Sequence, residues 1–325
     1  MLFSVRQWGL VLAGLLVLSS CLALCTGALG FGLPHDSTGW LVLTEIRAPR
    51  IVLATLTGAA LAVSGAVMQG LFRNPLADPG LIGISSGAAL GAALAIVLGS
   101  TAIAAWAVPM GGMAGGLCAT LILYRFATHG GKTSTSMVIL AGIALGAFAG
   151  SMTGILVFRA NDTALRDLTF WTMGSLSGAD WTRVEILIPF LVVAGILFAT
   201  IRLPLNALLL GEADAALMGF RVERTKRIAI LAVALAVGPV VSFVGVIGFI
   251  GVIIPHLIRL VTGPDHRIVL PGSAILGAIF LQVADTFART IAIPADVPVG
   301  VVTAAIGAPV FTWLLSKSRP SEAAP

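Results

Sequence analysis

Charged side chains are scarce in this sequence, only 10% of 325 residues, and tyrosine occurs once. With 58% hydrophobic residues there is too little polar surface to face water, which excludes a soluble globular domain. Acids are missing from the middle of the apolar runs. Asp285 alone lies well inside one, near its end. Carriers driven by protons or sodium place carboxylates at mid-depth, so a stand-alone secondary transporter is the weaker of two transport readings. No HExxH, no GxSxG and no paired acids on one helix face occur, so no catalytic constellation is present. Gly131-Lys132-Thr133 resembles the end of a phosphate-binding loop. Phe126 stands where its earlier glycine belongs, however, and no strand precedes it. The chain is therefore expected to hydrolyse no ATP, to act as no enzyme and to bind no cofactor or metal itself. Cys21, Cys25 and Cys118 all lie in apolar runs and are expected to be small buried residues. His35, His129, His256 and His266 are too scattered for a shared metal site. The net charge of +5 fits basic membrane-flanking loops rather than nucleic-acid binding.

What the sequence has in abundance is long apolar runs, and the mean hydropathy is +1.05. Runs of 18 or more residues can each cross the ~30 Å hydrocarbon layer. Ten spans are predicted: 8–29, 50–71, 82–99, 103–125, 136–157, 183–201, 227–246, 248–262, 268–288 and 298–316. The first lacks a clear cleavage site and is expected to be a retained span rather than a secretory signal. The reading is thus an all-α polytopic membrane protein, a single transmembrane domain over 1–325. If both termini are cytoplasmic, the inner loops hold thirteen basic residues and the outer loops six, and the positive-inside rule selects that orientation. Glycines at small-xxx-small spacing, such as Gly58 with Ala62 and Gly83 with Gly87 and Gly91, suit closely packed helices.

One polar island interrupts this pattern. Gly211 to Arg227, GEADAALMGFRVERTKR, packs seven charges into seventeen positions. Burying them in lipid would cost roughly 20 kcal/mol at about 2.5–3.5 kcal/mol each, so the island lies outside the bilayer. Acids at Glu212 and Asp214 favour a helix start, and Gly219 favours a stop, which predicts a helix from Glu212 to Met218. A short charged helical knob, with 203–226 as the segment that carries it, is a candidate for contact with another protein. At the other face, Arg47-Ala48-Pro49-Arg50 opens the second span and Arg289 closes the ninth, either as headgroup anchors or as a basic platform for an acidic partner. Asn74 to Gly83, NPLADPGLIG, breaks the chain between spans two and three. Asn161-Asp162-Thr163 matches a glycosylation acceptor in form only.

RAPR, GAALAVSGAVMQGLFRNPLADPGLIGISSGAALG (Gly58 to Gly91), GEADAALMGF, GFIGVIIPHLIRL (Gly248 to Leu260) and PADVPVGVVTAAIGAPVF (Pro294 to Phe311) are together similar in order and spacing to the FecCD-type permeases. These are membrane subunits of ATP-binding-cassette importers for ferric siderophores, haem and cobalamin. The resemblance runs from about Arg47 to Leu315. It implies a homodimer of ten-span subunits in the bacterial inner membrane, with a pathway on the dimer axis and alternating access. It also implies two cytoplasmic ATPase subunits, which bind the ATP and magnesium, and a periplasmic binding protein. By the same resemblance, Arg47, Arg50 and Arg289 dock the binding protein. Glu212, Ala213, Asp214, Leu217, Gly219 and Arg221 form the ATPase coupling segment. Ser134, Thr135 and Ser136 form the cytoplasmic gate. Met152, Thr153, Val302 and Thr303 line the pathway. Asp296 departs from the Glu that many relatives carry. The strings Leu71 to Leu90 and Phe170 to Leu176 resemble the haem branch, which makes haem the expected cargo and ferric siderophore or cobalamin the alternatives.

Overall fold

Runs of Leu, Ala, Val and Ile without interior charge can satisfy their backbone in lipid only as helices, and helices are what form. The computed structural model describes residues 5–27, 30–32, 36–99 and 104–317, which leaves His35 and Arg319 outside the described residues. The ten predicted spans correspond to α1 (Val5–Cys25), α3 (Ala48–Phe72), α4 (Ile84–Leu98), α5 (Ala104–Ala127), α6 (Thr135–Arg159), α8 (Trp181–Leu208), α10 (Val222–Val244), α11 (Ile250–Thr262), α12 (His266–Ala288) and α13 (Val299–Lys317). Three further helices lie between them: α2 (Ser37–Val42), α7 (Asp162–Thr172) and α9 (Glu212–Leu217). Two-residue hairpins pair β1 (Thr26–Gly27) with β2 (Gly30–Phe31), and β3 (Thr128–His129) with β4 (Lys132–Thr133).

α3 and α10 form the centre, each 72% buried along its apolar window, whereas α1 and α6 are only 17% buried and belong to the outside of the bundle. Closeness at the centre depends on missing side chains. A Cβ on Gly58 of α3 would lie 2.2 Å from the Gly277 carbonyl oxygen of α12, and one on Gly277 would meet Ala62 at 2.6 Å. The predicted Gly58–Ala62 pair is therefore the seat of α12. In the same way Gly87 and Gly91 of α4 abut Gly115 and Gly111 of α5.

α11 has thirteen residues and is about 20 Å long, too short to cross about 30 Å of hydrocarbon. The irregular stretch from Gly245 to Phe249 makes up the difference. Its backbone is covered by protein: a Cβ on Gly174 would lie 2.5 Å from Val246 O, and one on Gly245 would lie 2.0 Å from Trp171 O. Irregular backbone at membrane depth survives only under such cover.

Several expectations are corrected. Ser37 to Phe72 is one continuous helical rod with a π-helical stretch at Leu43–Arg47, where a loop was expected before residue 50. Asn161 is the N-cap of α7, its Oδ1 accepting from Ala164 N at 2.8 Å. Cys21 and Cys118 lie on the outward face of the bundle rather than inside it. Arg259 belongs to α11 and His266 opens α12. His266 is fully buried, with Asn206 Oδ1 2.8 Å from both its backbone N and its Nδ1.

Candidate functional site

The polar island folds as a knob. α8 runs on to Leu208, Gly211 turns the chain, and α9 begins with Glu212 and Asp214 in its first turn, where carboxylates face unpaired backbone N–H groups. α9 ends in a Schellman arrangement: Phe220 N donates to Ala215 O at 3.1 Å and Gly219 N to Ala216 O at 3.0 Å. Gly219 takes φ +88°, a left-handed conformation that glycine adopts at no steric cost. Ala215 is buried beneath, while Ala213, Asp214, Gly219 and Arg221 are exposed. Leu217 is 86% and Met218 58% exposed. Apolar side chains presented to water on a charged knob mark a contact surface.

Beside the knob, α5 leads through the β3–β4 hairpin into α6. Gly130 and Gly131, both at positive φ, make its two-residue turn. Ser134 follows as the N-cap of α6, its Oγ accepting from Met137 N at 3.3 Å. Ser134 and Ser136 are exposed and Thr135 is half-buried. The three predicted gate hydroxyls thus stand on the first turn of α6.

Knob and hairpin meet at a residue that the sequence reading did not single out. Lys226 of α10 is 3% exposed. Its Nζ reaches Glu212 Oε2 at 2.8 Å, Thr133 O at 2.7 Å and Glu223 Oε1 at 3.4 Å. Glu223 closes the circuit by accepting from Thr133 N at 2.7 Å, and Arg227 donates to Gly131 O at 3.1 Å. A lysine ammonium has three donors and no acceptor, and here each proton has a partner. The spacing of Glu223 and Lys226, three apart on one helix, was the available signal.

The turn between α3 and α4 lies at the same end. Asp78 Oδ1 accepts from Gly80 N at 2.7 Å and caps a short 3-10 turn, Pro79–Ile82. Burial pushes the Asp78 carboxyl above its ordinary range, against the lowering effect of that hydrogen bond. Asp265, the N-cap of α12, behaves oppositely: its hydrogen bond with Arg267 holds it well below the usual carboxylate range.

The opposite end carries the three predicted docking arginines, and two of them are not presented outward. Arg50 is 9% and Arg289 5% exposed. Arg50 bridges Asp285 at 2.9 Å and Asp296 at 2.6 Å. Arg289 donates to Ala23 O at 2.7 Å and stands 3.9 Å from Asp285. Arg47 is half-buried and donates to Leu24 O at 2.7 Å. Two buried guanidiniums sharing one buried carboxylate would be costly unless held together, so Arg50 and Arg289 serve first to fasten α1, α3 and α12. Asp296, a departure from the Glu that the family resemblance leads one to expect, reaches Arg50.

The predicted pathway residues divide. Met152 and Thr153 of α6 are half-buried, whereas Val302 and Thr303 of α13 are buried, and Thr303 Oγ1 donates to its own helix at Gly300 O. Val301, Ala305 and Ile306 hold the open face of α13 instead. Among the described residues no group of three His, Cys, Asp or Glu is placed to hold a metal ion.

Comparison with known proteins agrees with this geometry. The FecCD transport family matches residues 8–317. The cobalamin import system permease protein BtuC of Halobacterium salinarum is 45% identical over 287 residues, 88% of this chain and 76% of that protein. The vitamin B12 import system permease protein BtuC of Salmonella paratyphi A is 43% identical over 315 residues, 96% of this chain and 95% of that protein. A solved structure described as an inward-facing conformation of a metal-chelate type ABC transporter superposes with a TM-score of 0.88 at 31% identity, covering 95% of this chain and 98% of its own.

Proposed function

Because the chain belongs to the FecCD transport family, and is a multi-pass permease of an ABC import system without an ATPase site of its own, we propose that its cargo is cobalamin. The relatives named for cobalamin and vitamin B12 import support this cargo over haem. The two strings that resemble the haem branch have scaffold roles. Leu71 to Leu90 holds the α3–α4 turn with its Asn74 and Asp78 caps. Phe170 to Leu176 seats Gly174 against Val246 at the α10–α11 break. Neither string speaks for the cargo.

The working unit is a homodimer with its pathway on the two-fold axis, faced by α6 and α13. α9 and both termini are cytoplasmic, two ATPase subunits that bind ATP and magnesium receive α9, and an extracytoplasmic binding protein docks beside Arg47. The observation that carries ATP coupling is the knob itself: exposed Leu217 and Met218 on a helix tied through Lys226 to the hairpin that leads into α6. ATPase movement at α9 then reaches the Ser134–Ser136 gate through one side chain and drives alternating access.

The test is uptake into proteoliposomes holding the chain with its ATPase and binding protein. Cobalamin uptake that needs ATP is the expected result. Uptake of hemin or a ferric siderophore without cobalamin would move the cargo to those readings, and ATP-independent uptake by the chain alone would return it to secondary transport.

A further inference from the structure

A cavity of about 440 Å³ lies between α3, α8, α10 and α12, helices other than the two that face the pathway. Its walls are apolar, including Ala59, Leu191, Ala194 and Phe198. At the end that carries α9 it is rimmed by Arg202 and Arg267. From Arg202 to Leu191 along α8 is eleven residues, or about 16 Å at about 1.5 Å per residue. That is close to half of a ~30 Å hydrocarbon layer, the depth of one leaflet.

The two cations differ. Arg267 is 2.7 Å from Asp265 and largely neutralised by it. Arg202 is exposed and, among the described residues, has no hydrogen-bond or ion-pair partner. A positively charged residue at the membrane surface end of an apolar slot one leaflet deep matches one chemistry: an anionic headgroup above an acyl chain. We propose that this groove is a binding site for one anionic phospholipid, its acyl chain against Ala59, Ala194 and Phe198 and its phosphate on Arg202.

Gly195 also lines the groove, and a Cβ there would meet nothing within 4 Å, so a side chain can be introduced at this wall of the slot. Native mass spectrometry of the purified full-length protein, titrated with phosphatidylglycerol or phosphatidylcholine, reads the site directly. Phosphatidylglycerol should bind more tightly than phosphatidylcholine. Arg202→Gln should weaken phosphatidylglycerol roughly five-fold while leaving phosphatidylcholine unchanged, the size of one basic residue at an anionic surface. Arg267→Gln should have a smaller effect, because Asp265 already occupies that cation. Gly195→Trp should remove the bound copy of either lipid. Equal binding of the two lipids, an Arg202→Gln variant that keeps the preference, or displacement of phosphatidylglycerol by inorganic phosphate would each overturn the proposal. So would a change of oligomeric state in Gly195→Trp, which would make a second copy of the chain the occupant. None of these readouts depends on uptake, so their failure leaves the import reading untouched.

Discussion

Lys226 Nζ stands 2.8 Å from Glu212 Oε2 on α9 and 2.7 Å from Thr133 O, the residue before the α6 N-cap. One buried ammonium therefore fastens the α9 knob, proposed to face the ATPase, to the β3–β4 hairpin that leads into the proposed gate. Lys226→Met keeps the stem and removes the charge. It strands Thr133 O, at about 1.5–3 kcal/mol for a lost bond to a charged group. The expected outcome is ATP hydrolysis near wild-type in the assembled transporter with uptake strongly reduced. If hydrolysis and uptake fell in step, Lys226 would be holding the fold rather than linking two motions.

The buried Arg50–Asp285 pair makes a different kind of prediction. Arg50→Ala leaves a carboxylate whose side chain is 3% exposed without its main partner. Breaking a buried pair this way costs about 3–5 kcal/mol. Thermal unfolding in detergent should show a large loss. Arg50→Lys should recover only part of it, because an ammonium cannot reproduce the forked contact to Asp285 and Asp296. A variant with Arg50→Ala as stable as the parent would return Arg50 to the docking platform expected from the sequence.

Arg47 is the least buried of the three arginines proposed to dock the binding protein. Arg47→Glu should weaken binding-protein docking while the protein stays folded, and the loss should be greatest at low salt, where partly exposed charges are least screened. Docking affinity by surface plasmon resonance at two ionic strengths decides it. A salt-independent loss would place the effect in the Leu24 hydrogen bond instead.

What was legible in the sequence followed from local composition. Each of the ten spans came from an apolar run, and α9 from two acids and a glycine at helix-end positions. The missed features needed information that hydropathy does not carry. α2 and the π-helical stretch hold Thr44 and Glu45 and continue α3 beyond the apolar run, so they looked like a loop. α7 was hidden because Asn161 with Asp162 was weighed only as a formal sugar-acceptor match, although the same pair is a helix start. Arg50 and Asp285 are 235 positions apart, and only the packing of α3 on α12 joins them. Val302 and Thr303, named from the family resemblance, are buried in the single chain, and a run of small apolar residues shows no helical period from which that burial could be read.

Asp78 offers a test by pH and by substitution. Its folded-state pKa is raised, so the stability it contributes is complete below the unfolded value and is lost as pH rises through the folded one. Above that folded value the ionised carboxylate is a burden on the α3–α4 turn. Asp78→Asn keeps an acceptor for Gly80 N without the charge and should be as stable as the parent or more so. Asp78→Ala loses the cap and should be less stable by about 1 kcal/mol. Thermal unfolding at pH 7 ranks the three. A destabilised Asp78→Asn would mean that the negative charge itself is needed there.

Gly219 separates backbone conformation from bulk. A Cβ there would meet no atom within 4 Å, so nothing in the chain would be displaced by a side chain. Its φ of +88° is the obstacle, because a β-branched residue is strained in that region by about 1–3 kcal/mol. Gly219→Val should therefore undo the end of α9 and shift Leu217 and Met218, with the transmembrane helices intact. Asn tolerates the left-handed region and ends helices in glycine's place. Gly219→Asn should accordingly keep most of the uptake that Gly219→Val loses. ATP-driven uptake of the two variants, compared at equal membrane content, reads the difference. Equal loss in both would mean that the ATPase needs a bare backbone at Gly219, and equal retention would mean that the end of α9 plays no part in coupling.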